Sequence, residues 1–167
     1  MLIQAARALE KAGAEIISLS ANTPHIVFPE IQKAVNIPIV SIIDALIEEM
    51  KRRGVRKVLH LGTKTTMTAD FHKNALLKAG FEVITPNEEE MDEVDRIIFE
   101  ELASENLKSK TYLIDLIEKH AREETVEGVI LGCTELPLAI KQGDVSVEVF
   151  DTAAIHMRKL IELASDF

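Results

Sequence analysis

The sequence has a single cysteine, no tryptophan and one tyrosine, and aromatic residues make up only 4% of its 167 residues. One cysteine excludes a disulfide within the chain and is typical of a protein kept in a reducing compartment. No apolar run reaches the roughly 18 residues that a membrane-spanning helix needs, and the first residues lack the apolar segment of a signal peptide. We therefore expect a cytoplasmic protein with no membrane partner.

Basic residues are also fewer than acidic residues. Lys and Arg number 19 against 28 Asp and Glu, which gives a net charge of −9 at pH 7. Such a surface repels polyphosphates, so no nucleic-acid partner is expected. The five histidines show none of the spacings that are typical of a metal site, and no metal is predicted.

Aliphatic residues are abundant, in short β-branched runs that alternate with longer amphipathic stretches. The short runs predict strands over residues 15–20, 38–41, 57–62, 82–85, 128–132 and 147–150. The amphipathic stretches predict helices over residues 2–12, 42–53, 68–79, 88–104, 111–124 and 152–165. Alternating strands and helices predict an α/β fold with a mostly parallel sheet, in which ligands bind beyond the carboxyl ends of the strands.

Three of the predicted strands end in small polar residues. The segments are SLSANTPH (18–25), LGTKTTMT (61–68) and LGCTELP (131–137). Hydroxyls and free backbone N–H groups at such ends suit the binding of a carboxylate. The alternative is ordinary capping of the helices that follow, by Asn22, Thr23, Thr68 and Thr134.

The only cysteine, Cys133, lies where a predicted strand leads into a predicted helix turn. One interpretation is a small buried hydrophobic residue, and the other is a thiolate whose pKa is lowered by the helix N-terminus. Ser20 and His25 lie close to Ala21 in the first polar segment and are alternative acid or base groups, although His25 is expected to point into the following helix. His60, inside a strand, is predicted to be a core or interface residue. Solvated or packed roles are predicted for His72, His120 and His156.

The segments ANTPH (21–25), GTKTTM (62–67) and GCTELP (132–137), in this order and spacing, resemble the aspartate/glutamate racemase family. The resemblance implies a two-lobed α/β fold whose substrate lies between the lobes. It also implies proton transfer at Cα by two cysteines, one of which maps onto Cys133, with no pyridoxal phosphate, no metal and no other cofactor. The implied binding residues are Asn22, Thr23, Thr63 and Thr134 for the α-carboxylate and Lys108 for a side-chain carboxylate. A homodimer is the assembly that the resemblance implies.

Two departures from the family pattern stand out. Ala21 occupies the position of the other cysteine, and alanine cannot transfer a proton. The family's first strand, with its glycine-rich loop, has no match in residues 1–14, so we expect an incomplete first lobe. The predicted division is a first lobe of residues 1–44 plus 150–167 and a second lobe of residues 45–149.

The resemblance therefore predicts an isomerase that interconverts L- and D-aspartate, or a related acidic amino acid, with activity weakened by Ala21. One alternative is a member that binds dicarboxylates without catalysis or only self-assembles. Another is a decarboxylase or lyase with a single thiol, as in the arylmalonate decarboxylases of the same superfamily.

Overall fold

The computed structural model describes residues 1–165; the last two residues, which belong to the predicted first lobe, lie outside the described residues. The strands are β1 (Ile17–Ser18), β2 (Ile39–Val40), β3 (Lys57–Leu61), β4 (Glu82–Ile84), β5 (Gly128–Leu131) and β6 (Glu148–Asp151). The helices are α1 (Leu2–Lys11), α2 (Phe28–Gln32), α3 (Ile42–Arg53), α4 (Lys64–Thr68), α5 (Asp70–Lys78), α6 (Glu88–Arg96), α7 (Lys110–Glu123), α8 (Leu136–Ala139) and α9 (Thr152–Ala164). Each predicted strand is present; five are shortened by one to four residues, and the sixth keeps its length but is shifted by one residue.

The strands form two parallel sheets. β1 pairs with β2, and Ile17 lies opposite Ile39. The larger sheet has the order β4-β3-β5-β6 with every neighbouring pair parallel. Leu61 lies opposite Leu131, so β3 and β5 end at the same level. The predicted α/β class, with parallel sheets flanked by helices, is confirmed.

Both faces of the larger sheet are covered, which explains why its strands are apolar throughout. Successive side chains of a strand point to opposite faces. Val129 and Leu131 accordingly belong to a cluster shared with α6 and α7, while Ile130 packs with α3 and α5. A third, smaller cluster fills the space between α1, α2 and the small sheet.

Helix α9 connects the two sheets. It starts directly after β6 and packs against α3 and β2. Nε2 of the buried His156 on α9 donates to the carbonyl oxygen of Val40, at 2.9 Å. The division into lobes at residues 44 and 150 stays a prediction.

Two predicted helices differ from the structure. The helix expected over residues 68–79 is α5 and begins two residues late, because Ala69 is extended and the Thr68 hydroxyl bonds back to the Lys64 carbonyl at the end of α4, a helix that the sequence did not predict. The helix expected over residues 88–104 changes at Ile97–Glu101 into a π-helical turn. A side-chain ion pair from Arg96 to Glu101, which spans the five-residue period of that turn, stabilises it.

The segment after β1 is also in two pieces. A 3₁₀ turn over Thr23–Val27 precedes α2, and Pro29 lies in the first turn of α2. No helix within residues 1–165 combines the length and apolar character that a bilayer crossing requires.

Candidate active site

A cavity of about 220 Å³ opens at the carboxyl ends of β3 and β5. This is where an open parallel sheet places its ligands. Its lining residues are Ala21, Asn22, Thr23, Thr63, Thr66, Ile98, Phe99, Ala103, Gly132, Cys133, Thr134 and Glu135. All three polar strand ends that the sequence singled out therefore meet in one place.

Cys133 is half-buried and lines this cavity. Its Sγ lies 2.8 Å from Oε2 of Glu135. Burial, together with the hydrogen bond to the Glu135 carboxylate, raises the pKa of the Cys133 thiol to about 12. The neutral thiol is therefore the favoured form at pH 7.

The expected lowering of the Cys133 pKa is thus wrong. Helix α8 begins only at Leu136, three residues later, and is four residues long. Its dipole is too short and too distant to offset the carboxylate at Glu135. The interpretation as a buried hydrophobic residue is also incomplete, because one side of Cys133 packs on the core and the other lines the cavity.

Glu135 is a site residue that the sequence reasoning missed. Its Oε2 accepts hydrogen bonds from the Cys133 thiol and the Thr134 hydroxyl, both at 2.8 Å. The thiol hydrogen bond is the main reason that the pKa of Glu135 lies below its ordinary value. The sequence feature that could have identified Glu135 is its position two residues after the only cysteine, in the segment GCTE.

Asn22 is buried, and hydrogen bonds fix its orientation. The Thr152 hydroxyl donates to the carbonyl oxygen of Leu131 at 2.8 Å, so Thr152 Oγ1 accepts from Asn22 Nδ2 at 3.0 Å. Oδ1 of Asn22 then faces His72 Nε2 at 3.0 Å, and that nitrogen must carry the proton. Within residues 1–165 the second proton of Asn22 Nδ2 has no hydrogen-bond acceptor, and Asn22 lines the cavity. The 3₁₀ turn after Asn22 has no side-chain cap, so helix capping does not explain this residue.

Thr63 caps a helix, a role that the sequence analysis considered for Asn22, Thr23, Thr68 and Thr134. Its Oγ1 accepts from the backbone N–H of Thr66 at the start of α4 and lies 3.0 Å from Thr66 Oγ1. Thr23 and Thr134 are exposed at the rim of the cavity, and Thr68 closes the last turn of α4. Four threonines therefore line the cavity with Cys133, namely Thr23, Thr63, Thr66 and Thr134.

Gly132 lets the two strand ends approach closely. A Cβ at this position would lie 2.8 Å from Nε2 of His60 and 2.9 Å from the carbonyl oxygen of Leu61. Any larger residue would push β5 away from β3 and displace Cys133 from the cavity wall. His60 Nε2 is fully buried there and has no hydrogen-bond partner among the described residues.

The histidines support the site but do not reach it. His25 uses both ring nitrogens, donating to the Ala21 carbonyl from Nδ1 and accepting from the Ile42 N–H at Nε2. It is therefore no acid or base for the cavity, and Ser20 lines a different groove beside α1. His60 is a core residue, as predicted, and its ring stacks on His72 at 4.9 Å.

Burial lowers the pKa of four histidines, namely His25, His60, His72 and His156. They are neutral at pH 7. His120 is also buried, far from the cavity, where it contacts Glu90. No group of three or more His, Cys, Asp or Glu side chains within residues 1–165 is arranged to hold a metal ion.

Lys108 lies apart from the other predicted site residues. It is exposed in the loop between Ser104 and α7 and is not part of the cavity lining. Its proposed contact with a side-chain carboxylate has no support in this arrangement.

A model of the Asp/Glu/Hydantoin racemase family matches residues 1–160. A broad specificity amino-acid racemase of Bacillus subtilis (strain 168) is 26% identical over 158 residues, which are 92% of this chain and 66% of that protein. The chain thus spans slightly less than two thirds of the length of this relative. 

Solved structures of racemases and their homologues are also similar to this chain. An aspartate racemase homologue from Pyrococcus horikoshii OT3 is 68% identical with a TM-score of 0.94, over 98% of this chain and 72% of that chain. The aspartate racemase of Picrophilus torridus is 22% identical with a TM-score of 0.75, over 98% of this chain and 68% of that chain. At this level of identity, the similarity to the Picrophilus torridus protein shows only that the two chains share a fold.

Proposed function

The chain belongs to the Asp/Glu/Hydantoin racemase family, and we propose that it exchanges the α-proton of an amino acid through Cys133. The observation that carries the proposal is the cavity in which Cys133 meets Asn22 and Thr63. Proton abstraction next to a carboxylate needs a base beside Cα and donors that stabilise the developing enediolate. Both can come from this chain without pyridoxal phosphate.

The α-carboxylate is assigned to the polar end of the cavity. The free Nδ2 proton of Asn22 and the hydroxyls of Thr23, Thr63 and Thr134 are the donors. Because His72 and Thr152 already hold Asn22, its donor needs no reorganisation when charge develops on the carboxylate oxygens.

The α-ammonium group is assigned to Glu135. An ammonium group there replaces the Cys133 thiol as donor to the carboxylate and cancels the negative charge beside the sulfur. The pKa of Cys133 then falls, because one of its two main causes of elevation is removed. The thiol proton leaves to water, and the resulting thiolate takes the proton from Cα.

Ala21 limits inversion of the configuration at Cα. The proton that returns to Cα comes from Cys133 on the same face or from water, because Ala21 offers no donor at the position of the second thiol. We therefore propose rapid exchange and slow inversion. An acidic amino acid is what the resemblance predicts, and L- and D-aspartate are the reference compounds.

The proposal is tested by incubating the protein with single amino-acid enantiomers in D₂O and following the α-proton by NMR. Loss of the α-proton signal with the wild type, and no loss with Cys133→Ala, is the expected result. The matched control is Glu124→Gln, an exposed change far from the cavity that leaves the exchange rate unaltered. Exchange that survives Cys133→Ala in a folded protein, confirmed by its melting temperature, contradicts the assignment.

A second candidate is decarboxylation with one thiol, favoured by the pairing of Cys133 with an inert Ala21 in the same cavity. It requires release of carbon dioxide from an aryl- or alkylmalonate and protonation of the product by Cys133. The same NMR assay reports it as loss of the malonate. A non-catalytic member instead gives ligand-dependent thermal stabilisation without exchange or decarboxylation.

The assembly and location that we propose are a homodimer in the cytoplasm. The homodimer is supported by the family resemblance and the location by the unpaired thiol. Light scattering on the purified protein measures its oligomeric state directly.

A further inference from the structure

One wall of the cavity is apolar and comes from the irregular segment after α6. Ile98 and Phe99 lie in the π-helical turn, and Ala103 lies in the 3₁₀ turn over Leu102–Ser104 that follows. Ile98 is buried, whereas Phe99 is 63% exposed, so its ring lies at the mouth of the cavity with free surface.

Among residues 1–165, no positive side chain lines the cavity to receive a second carboxylate. Within residues 1–165 its lining includes no Lys or Arg, and its one charged group is the carboxylate of Glu135. Neighbouring cations point elsewhere. Lys64 pairs with Asp92, and Arg96 pairs with Glu93 and Glu101.

A side-chain carboxylate in this cavity would lose part of its hydration without gaining an opposite charge. It would also share the cavity with Glu135, and like charges at close range disfavour each other. An uncharged side chain has neither cost and gains apolar contact with Ile98, Phe99 and Ala103. At about 220 Å³ the cavity is smaller than the roughly 300–1,000 Å³ of sites for drug-sized ligands, which suits a single small amino acid.

We infer that the cavity accepts amino acids with an uncharged, mainly apolar side chain in preference to aspartate and glutamate, and that Phe99 determines this specificity. The inference rests on the proposed function for the placement of the α-carboxylate and α-ammonium groups. It reverses the acidic preference that the family resemblance predicts.

Binding is measured first, so that the inference is tested independently of the chemistry. Isothermal titration of L-methionine and L-aspartate into Cys133→Ala is expected to give at least tenfold tighter binding of L-methionine. Equal binding, tighter binding of L-aspartate or no binding of either compound overturns the inference. Preferential binding of L-methionine without exchange by the wild type leaves the inference standing and refutes the proposed function.

The role of Phe99 is tested by giving the wall a positive charge. Phe99→Arg, combined with Cys133→Ala, is expected to raise the affinity for L-aspartate relative to L-methionine by at least tenfold. Phe99→Leu is the matched control, because it keeps the wall apolar and keeps the preference for L-methionine. Since Phe99 is largely exposed, neither change disturbs the core. An unchanged ratio in Phe99→Arg excludes Phe99 as the specificity determinant.

Discussion

Sγ of Cys133 and Oε2 of Glu135 are 2.8 Å apart, so the sole thiol of the chain donates to a carboxylate that faces the same cavity. This contact favours the protonated form of the sulfur, and the carboxylate could bind a cation in its place. In the proposed mechanism the amino acid's own ammonium group is that cation. Activation of the thiol then depends on substrate binding.

Removing the charge of Glu135 is expected to lower the pKa of Cys133. In Glu135→Gln the sulfur no longer faces an anion, and only the effect of burial remains. We expect alkylation of Cys133 by iodoacetamide at pH 7.5 to accelerate by about tenfold, the gain in thiolate when a pKa falls by about one. Because Cys133 is the only cysteine, the label reports this residue alone. An unchanged rate, with Glu124→Gln as control, would show that the carboxylate does not govern the thiol.

A second thiol should restore inversion. Ala21→Cys places a donor at the position where the family resemblance expects one, on the cavity wall that Ala21 already lines. We expect the rate of inversion relative to α-proton exchange to rise by about tenfold or more, as general acid catalysis becomes available on the second face. Chiral chromatography of the product measures it. Ala21→Ser, similar in size but a much weaker acid, is the control, and the same ratio in both variants would contradict the role of position 21.

His72 is expected to act by holding Asn22. His72→Phe leaves Oδ1 of Asn22 buried without a donor, which costs about 1–3 kcal/mol of unfolding free energy. It also frees the amide to turn, so binding of the amino acid should weaken. Urea unfolding and isothermal titration measure the two effects. His72→Gln, which keeps a side-chain N–H donor, should recover part of both, and full binding by His72→Phe would refute the positioning role.

The buried histidines should make the protein less stable in mild acid. Burial lowers the pKa of His60 to about 4 from an ordinary 6.5. Between these values the unfolded chain binds the proton and the folded chain does not, so stability decreases as the pH falls from about 6.5 towards 4. From this one group the free energy of unfolding is expected to fall by about 2 kcal/mol between pH 7.5 and pH 5.0.

His60→Leu is the variant that isolates this contribution. Its loss of stability between pH 7.5 and pH 5.0, measured by urea unfolding, should be smaller than that of the wild type by about 2 kcal/mol. The remaining slope is assigned to the other buried histidines, His25, His72 and His156. The same slope in His60→Leu and in the wild type would mean that His60 is already protonated, or solvated, in the folded protein.

The location of the site followed from the sequence because it depends on local patterns. Thr63 and Cys133 each stand just beyond an apolar β-branched run, and the parallel strands β3 and β5 bring these two ends to the same edge of one sheet. Asn22 follows β1 of the other sheet and is held beside them by hydrogen bonds to Thr152 and His72, which the sequence pattern does not predict.

The protonation state of Cys133 and the apolar wall of the cavity could not be predicted from the sequence, because both depend on three-dimensional contacts. The thiol is protonated since Glu135 turns back onto Cys133 ahead of a helix that starts only at Leu136. Phe99 reaches the cavity through a π-helical turn, which the contact between Arg96 and Glu101 stabilises. A helical periodicity cannot reveal either feature.

The most direct test of one-sided proton transfer by Cys133 compares exchange with inversion in a single sample. The wild type is incubated in D₂O with the pure L-enantiomer of whichever amino acid exchanges fastest, and mass spectrometry and chiral chromatography follow the same time points. We predict that deuterium accumulates at Cα while the L-configuration is retained, and that Cys133→Ala incorporates none. Appearance of the D-enantiomer at the same rate as deuterium would contradict the account, because it would require a second proton donor opposite Cys133.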